Sequence, residues 1–222
     1  MIKRIEISEG SFIGAYVSVT EDIALVSTHL PKSVKRDIKE VLDVEVFEIT
    51  IAGSELVGVL SVGNSNGILV PNNIMDQEMK ILEDIGVNVG IVEDKHTALG
   101  NLILSNDYGA IISPLFSPEA VNTIKDTLDV NVKDLLLGTY TIVGSVGIAT
   151  NKGALLHPDV KEKELETVEK VLKVPADLGT VNHGMIFIGS CMIANSKGVL
   201  VSKETTGPEL ARIEEALGLI EG

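Results

Sequence analysis

One cysteine, four histidines and three Glu-Asp pairs are the side chains from which this sequence could build covalent or acid–base chemistry. Cys191 is a nucleophile only if its thiol pKa is lowered and a base lies within reach. His29, His96, His157 and His183 are scattered loop or strand-end residues, with no His-x-x-x-His and no Cys-x-x-Cys spacing. No metal or cofactor site is therefore expected. Glu21-Asp22, Glu83-Asp84 and Glu93-Asp94 have no fixed partners and read as solvated loop or helix-end residues, not as a glycosidase pair. The glycine-rich stretch 63–67 lacks the Lys-Ser/Thr of a phosphate loop and runs into a strand, so it is a turn.

The elements that must position these groups repeat five times. Gly14, Gly58, Gly100, Gly144 and Gly189 recur at intervals of 44, 42, 44 and 45 residues. Six residues past these anchors stand Thr20, Asn64, Asn106, Thr150 and Asn195, and nine past them Ile23, Gly67, Gly109, Gly153 and Gly198. Each unit reads as a first strand, a tight turn, a short apolar strand, an amphipathic helix and a last strand. The first strands are expected at Ala15–Val19, Val59–Val62, Asn101–Ser105, Ser145–Ala149 and Ser190–Ala194. Ser117 before Pro118 and Thr206 before Gly207-Pro208 mark two helix starts. The last strands fall at Val44–Ile51, Val87–Val92, Val130–Leu137 and Pro175–Val181. The fifth unit lacks one, and Ile2–Ile7 has the length and pattern to supply it. The reading is α/β: a closed five-bladed pseudo-symmetric propeller of ββαβ-type repeats. It forms one domain over 1–222, with repeats at 12–53, 54–95, 96–139, 140–184 and 185–222 plus 1–8. A closed ring offers no open sheet edge, and a monomer is expected.

Composition narrows the partners. Mean hydropathy is +0.30, no apolar stretch approaches the roughly 18 residues of a membrane span, and the first ten residues have no signal-peptide core. With 18 basic against 32 acidic residues the net charge is −14, the wrong sign for gripping phosphates and the right one for a basic partner. One cysteine excludes an internal disulfide and suits a reducing, cytoplasmic setting.

Aligned on the anchors, Cys191 is equivalent to Tyr16, Leu60, Leu102 and Val146, which makes it a packing residue in a strand. The positions just past the anchors, Ala15, Val59, Asn101, Ser145 and Ser190, are small and uncharged. They gather at one end of the axis. Such a face suits docking to a large partner; the crowding of five turns accounts for the same small side chains.

Several motifs carry a family resemblance. Val70-Pro71-Asn72-Asn73 with Asp76-Gln77-Glu78, Ala98-Leu99-Gly100-Asn101, Asn106-Asp107-Tyr108, His157-Pro158, and Val174-Pro175 leading to Gly179-Thr180-Val181-Asn182 stand in the order of the translation initiation factor six family. The chain resembles that family from end to end, in its short archaeal form. The resemblance implies a pentein fold and a non-enzymatic, cytoplasmic anti-association factor that binds the large ribosomal subunit and blocks premature joining. It implies contact with a basic large-subunit protein near the sarcin–ricin RNA loop, and release by other factors including a GTPase. By position, Asn101 is the leading interface residue, followed by Val59, Ser145 and Val146, with Ala15 and Ser190 completing the ring. The rival reading is also a pentein: arginine deiminases and amidinotransferases attack guanidinium carbons with a Cys–His pair, and Cys191 lies in the repeat that such a hydrolase or transferase needs.

Overall fold

Five three-stranded sheets surround one axis in the computed structural model, which describes residues 1–7 and 10–219. The first blade runs from an axial helical turn α1 (Ile13–Tyr16) through β2 (Val17–Val19), β3 (Ile23–Val26) and α2 (Lys32–Leu42) to β4 (Glu45–Glu48). The second contains α3 (Val57–Leu60), β5 (Val62–Asn64), β6 (Gly67–Pro71), α4 (Asp76–Ile85) and β7 (Val89–Val92). The third contains α5 (Leu99–Leu102), β8 (Ile103–Ser105), β9 (Gly109–Ile112), α6 (Pro118–Leu128) and β10 (Asn131–Asp134). The fourth contains β11 (Gly147–Ala149), β12 (Ala154–Leu156), α7 (Glu162–Leu172) and β13 (Ala176–Leu178). The fifth contains α8 (Ile188–Cys191), β14 (Met192–Ala194), β15 (Val199–Ser202) and α9 (Gly207–Ala216). Its third strand is β1 (Ile2–Ile5), parallel to β15 with Ile2 opposite Val199, so the N-terminal strand completes the fifth blade as expected. The outer limits of that repeat, residue 8 and residues 220–222, lie outside the described residues.

Within each blade a first hairpin is antiparallel and the last strand is parallel, the helix supplying the crossover. The middle strands are buried on both faces, as in Gly67–Pro71 and Val199–Ser202. Helix α2 turns Val34, Ile38, Val41 and Leu42 inward against its own sheet and the β1–β15 sheet of the fifth blade. Ser117 and Thr206 cap α6 and α9 by accepting from the amides of Ala120 and Glu209. Met75 is the N-cap of α4 and 52% exposed.

The first strands begin later than expected. Residues 13–16, 57–60, 99–102 and 188–191 form one helical turn before the strand starts. The reason is a ring of backbone contacts. A Cβ on Gly58 would stand 2.0 Å from the carbonyl oxygen of Gly14, one on Gly100 1.9 Å from that of Gly58, and the series continues through Gly144 and Gly189 back to Gly14. Only glycine fits where each turn rests on the previous turn's carbonyl, and an extended strand would carry the Cα past it.

Neighbouring blades are also joined at the hairpin end. Asn64 Nδ2 donates to the carbonyls of Asn106 at 3.2 Å and Leu128 at 2.9 Å, while its Oδ1 accepts from the amides of Asn66 and Gly67. Asn106 does the same towards Thr150 and Leu172, and Asn195 towards Thr20 and Leu42. Each asparagine closes its own turn and caps the last turn of the next blade's helix, using its full hydrogen-bonding capacity.

The ring does not abolish sheet edges, because each blade is a separate three-stranded sheet whose outer strand is an edge. Glu45 and Glu48 on β4, and Lys133 and Asp134 on β10, place charges there, the usual guard against edge pairing.

Candidate docking face

The two ends of the axis differ in chemistry. At the hairpin end the turns are polar and knit to one another: Ser65 to Asp107, Asp107 to Asn151, and Ser196 to Glu21. Glu21 is thus an acceptor across blades, not a solvated side chain.

At the other end the residues two before each anchor, Phe12, Leu56, Ala98, Ile142 and Phe187, are all apolar. Four of them are the N-caps of the axial turns and share one backbone conformation, with ψ between 56 and 65°. They form a collar around the axis. Phe12 is 40% exposed and Leu56 39%, and Met75 and Leu115 extend the apolar surface on the same end. Exposed apolar side chains gathered at one end of a ring are a usual mark of a macromolecular contact.

Just inside the collar lie the positions singled out from the sequence. Ala15, Val59, Asn101 and Ser190 are half-buried, each on its axial turn. The carbonyl of Asn101 accepts from the amide of Gly144 at 3.0 Å, which fixes the backbone. Among the described residues its side-chain amide has no hydrogen-bond partner, in contrast to the clamping amides of Asn64, Asn106 and Asn195. The remaining two are not presented. Ser145 is 4% exposed and Val146 is fully buried in the core that also holds Val143 and Leu156. Neither side chain is exposed at this end of the ring, and the position of Val146 is buried in blades three and five as well, at Leu102 and Cys191.

Carboxylates at the first turns of three helices hold this end rigid, and the sequence reading missed them because their partners are remote backbone amides. Glu78 of α4 accepts from Thr50 Oγ1 at 2.6 Å and from the amides of Ala52, Gly53 and Met75. Glu164 takes the amides of Gly138 and Lys161, and Glu209 those of Gly184, His183 and Thr206 with the hydroxyl of Thr180. Burial pushes the Glu209 carboxyl up, but hydrogen bonds led by Thr206 and Gly184 outweigh it and hold the pKa at about 2. Asp94, expected to be solvated, plays the same part. Burial works against its charge, and the amides of Ser117 and His96 and the His96 ring override that and bring its pKa to about 2.

Cys191 is fully buried at the end of α8, not on a strand, in a core with Ile188 and Val201. Burial pushes its thiol up to about 11, with a hydrogen bond involving Asn182 opposing and Glu204 adding to the rise. Asn182 in turn accepts from Thr205 Oγ1 at 2.8 Å. His157 is likewise internal: its Nε2 donates to the carbonyl of Leu137 at 2.8 Å, Nδ1 accepts from Asp159, and Tyr140 packs edge-on at 5.0 Å. The axial cavity, about 110 Å³, is lined by anchor glycines and residues such as Val17, Ser18, Ile103 and Met192.

The sequence profile of the eIF-6 family matches residues 2–216. Proteins named translation initiation factor 6 are 43% identical in Methanosarcina mazei, over 100% of both chains, and 42% in Pyrococcus abyssi, over 99% of both. The one from Thermococcus onnurineus is 40% identical, again over 99% of each. In three dimensions the chain is similar to a dimethylarginine dimethylaminohydrolase in adduct with S-methyl-L-thiocitrulline, at 14% identity and a TM-score of 0.50, covering 75% of this chain and 68% of that one. That likeness establishes the pentein fold and nothing of activity.

Proposed function

Because the chain belongs to the eIF-6 family, we propose that it is a cytoplasmic translation initiation factor that binds the large ribosomal subunit and prevents premature joining with the small one. The carrying observation is that the likeness to relatives named translation initiation factor 6 runs over the whole ring. The collar end is the docking face. Phe12, Leu56 and Phe187 supply apolar area, Ala15, Val59 and Ser190 allow close approach, and Asn101 offers an uncommitted amide for recognition. The partner is a basic large-subunit protein close to the sarcin–ricin loop, for which a net charge of −14 is favourable.

The mechanism is steric. A stable complex buries on the order of 1,000 Å² or more, and a ring seated there occupies surface that the small subunit needs. No bond is made or broken, and release falls to other factors, a GTPase among them. A thiol buried in the core and raised by that burial supports this over guanidine chemistry at Cys191. The test is subunit joining followed by light scattering. Stoichiometric protein should suppress the increase in scattering, and an unchanged joining curve would overturn the reading.

A further inference from the structure

The five seams between blades are built to one plan, and one seam breaks it. In four of them a glycine nine residues past the anchor receives a carbonyl from the last turn of the next blade's helix. A Cβ on Gly67 would stand 2.6 Å from the carbonyl of Thr127, and one on Gly109, Gly153 or Gly198 still closer to those of Val171, Ala216 and Val41. The next helix residue is then a leucine: Leu128, Leu172, Leu217 and Leu42, each fully buried. At the seam between blades one and two Ile23 stands where the glycine should be. Ile85, which precedes the left-handed Gly86 as Leu42, Leu128 and Leu172 precede the left-handed Asp43, Asp129 and Lys173, is only partly buried.

The polar clamp fails at the same place. Thr20 replaces the asparagine, and its hydroxyl bonds only within its own turn, to Asp22, Ile23 and the Ile23 carbonyl. Among the described residues Glu21 is spent on Ser196 of blade five and Ser65 on Asp107 of blade three, so neither reaches across this seam. A cleft of about 310 Å³ lies between the Thr20–Ile23 turn, the Asn64–Gly67 turn and Gly86–Asn88. Helix α4 buries a single apolar side chain, Leu82, with Ile81 39% exposed. Its N-terminus is nevertheless fixed, because Glu78 grips Thr50, Ala52 and Gly53 of blade one.

We infer that this seam is the ring's opening joint: the last turn of α4 swings away from the first blade on a hinge held by Glu78, while the glycine ring and the collar end stay closed. The seam between blades four and five also carries a threonine, Thr150, but keeps Gly153 under Ala216 and Leu217 in place, so it opens second. Opening one joint at the hairpin end gives the docked ring a movable element without disturbing the face proposed to bind.

Native-state hydrogen exchange of the full chain, read by mass spectrometry, tests this independently of any ribosome. Amides of residues 82–88 should exchange at least about ten-fold faster than those of residues 125–131, the same stretch of blade three, in a local opening insensitive to low denaturant. A second arm transplants the defect: Asn106→Thr should speed exchange in the last turn of α7 by about ten-fold and leave α4 unchanged. Exchange of α4 in step with α6, or a folded Asn106→Thr protein with an unchanged α7, would overturn the inference. If that variant does not fold, the wild-type comparison decides alone.

Discussion

A Cβ on Gly14 would lie 1.9 Å from the carbonyl oxygen of Gly189, so the first and last blades meet through bare backbone. Closure of the ring therefore depends on a hydrogen atom where every other residue has a carbon. Gly14→Ala should cost at least about 2 kcal/mol, because a carbonyl is not a flexible neighbour that can step aside. Urea unfolding measures this, and an unchanged midpoint would contradict the closure argument.

The asparagine clamps make a second stability prediction. Asn195→Ala removes donors to Thr20 and Leu42 and acceptors for Lys197 and Gly198, and leaves buried carbonyls without partners. A loss of about 2–4 kcal/mol is expected, against about 1 kcal/mol for Thr20→Ala, which only closes its own turn. Equal losses in the two variants would show that the inter-blade bonds contribute little.

Acid should weaken the helix-start carboxylates in a defined window. The ordinary pKa of Glu209 is 4.5 and its folded value is about 2, so its contribution is complete above the first and is lost as pH falls towards the second. The melting-temperature gap between wild type and Glu209→Gln should be widest near neutrality and should shrink through that interval. A gap that stays constant down to pH ~2 would mean the carboxylate's charge is not what holds the turn.

Cys191 should behave as a core thiol. Its alkylation in the native protein is expected to be no faster than global unfolding, and Cys191→Ser should dock as wild type does. Rapid native-state alkylation would revive the enzymatic reading.

How much of this was legible in the residues depended on range. The anchors, the helices and the closing strand Ile2–Ile5 declare themselves through local period and through the strand missing from the fifth unit. The axial turns did not, since Ile13-Gly14-Ala15-Tyr16 is as apolar as a strand and only contact with another blade makes it helical. Asn64, Asn106 and Asn195 read correctly as turn residues, yet half of their bonding runs to the next blade, which a single repeat cannot show. Glu78 and Glu209 stand at helix starts, and their distant amide partners give no signal in sequence.

The central claim is tested most directly by sedimenting the protein with purified large ribosomal subunits, wild type beside Asn101→Asp. Wild type should pellet with the large subunit and not with the small one. Asn101→Asp should melt at the wild-type temperature yet bind at least about ten-fold more weakly, since it replaces a donor at the docking face with a charge. Failure of the wild-type protein to pellet with the large subunit, or full binding by a folded Asn101→Asp protein, would contradict the account.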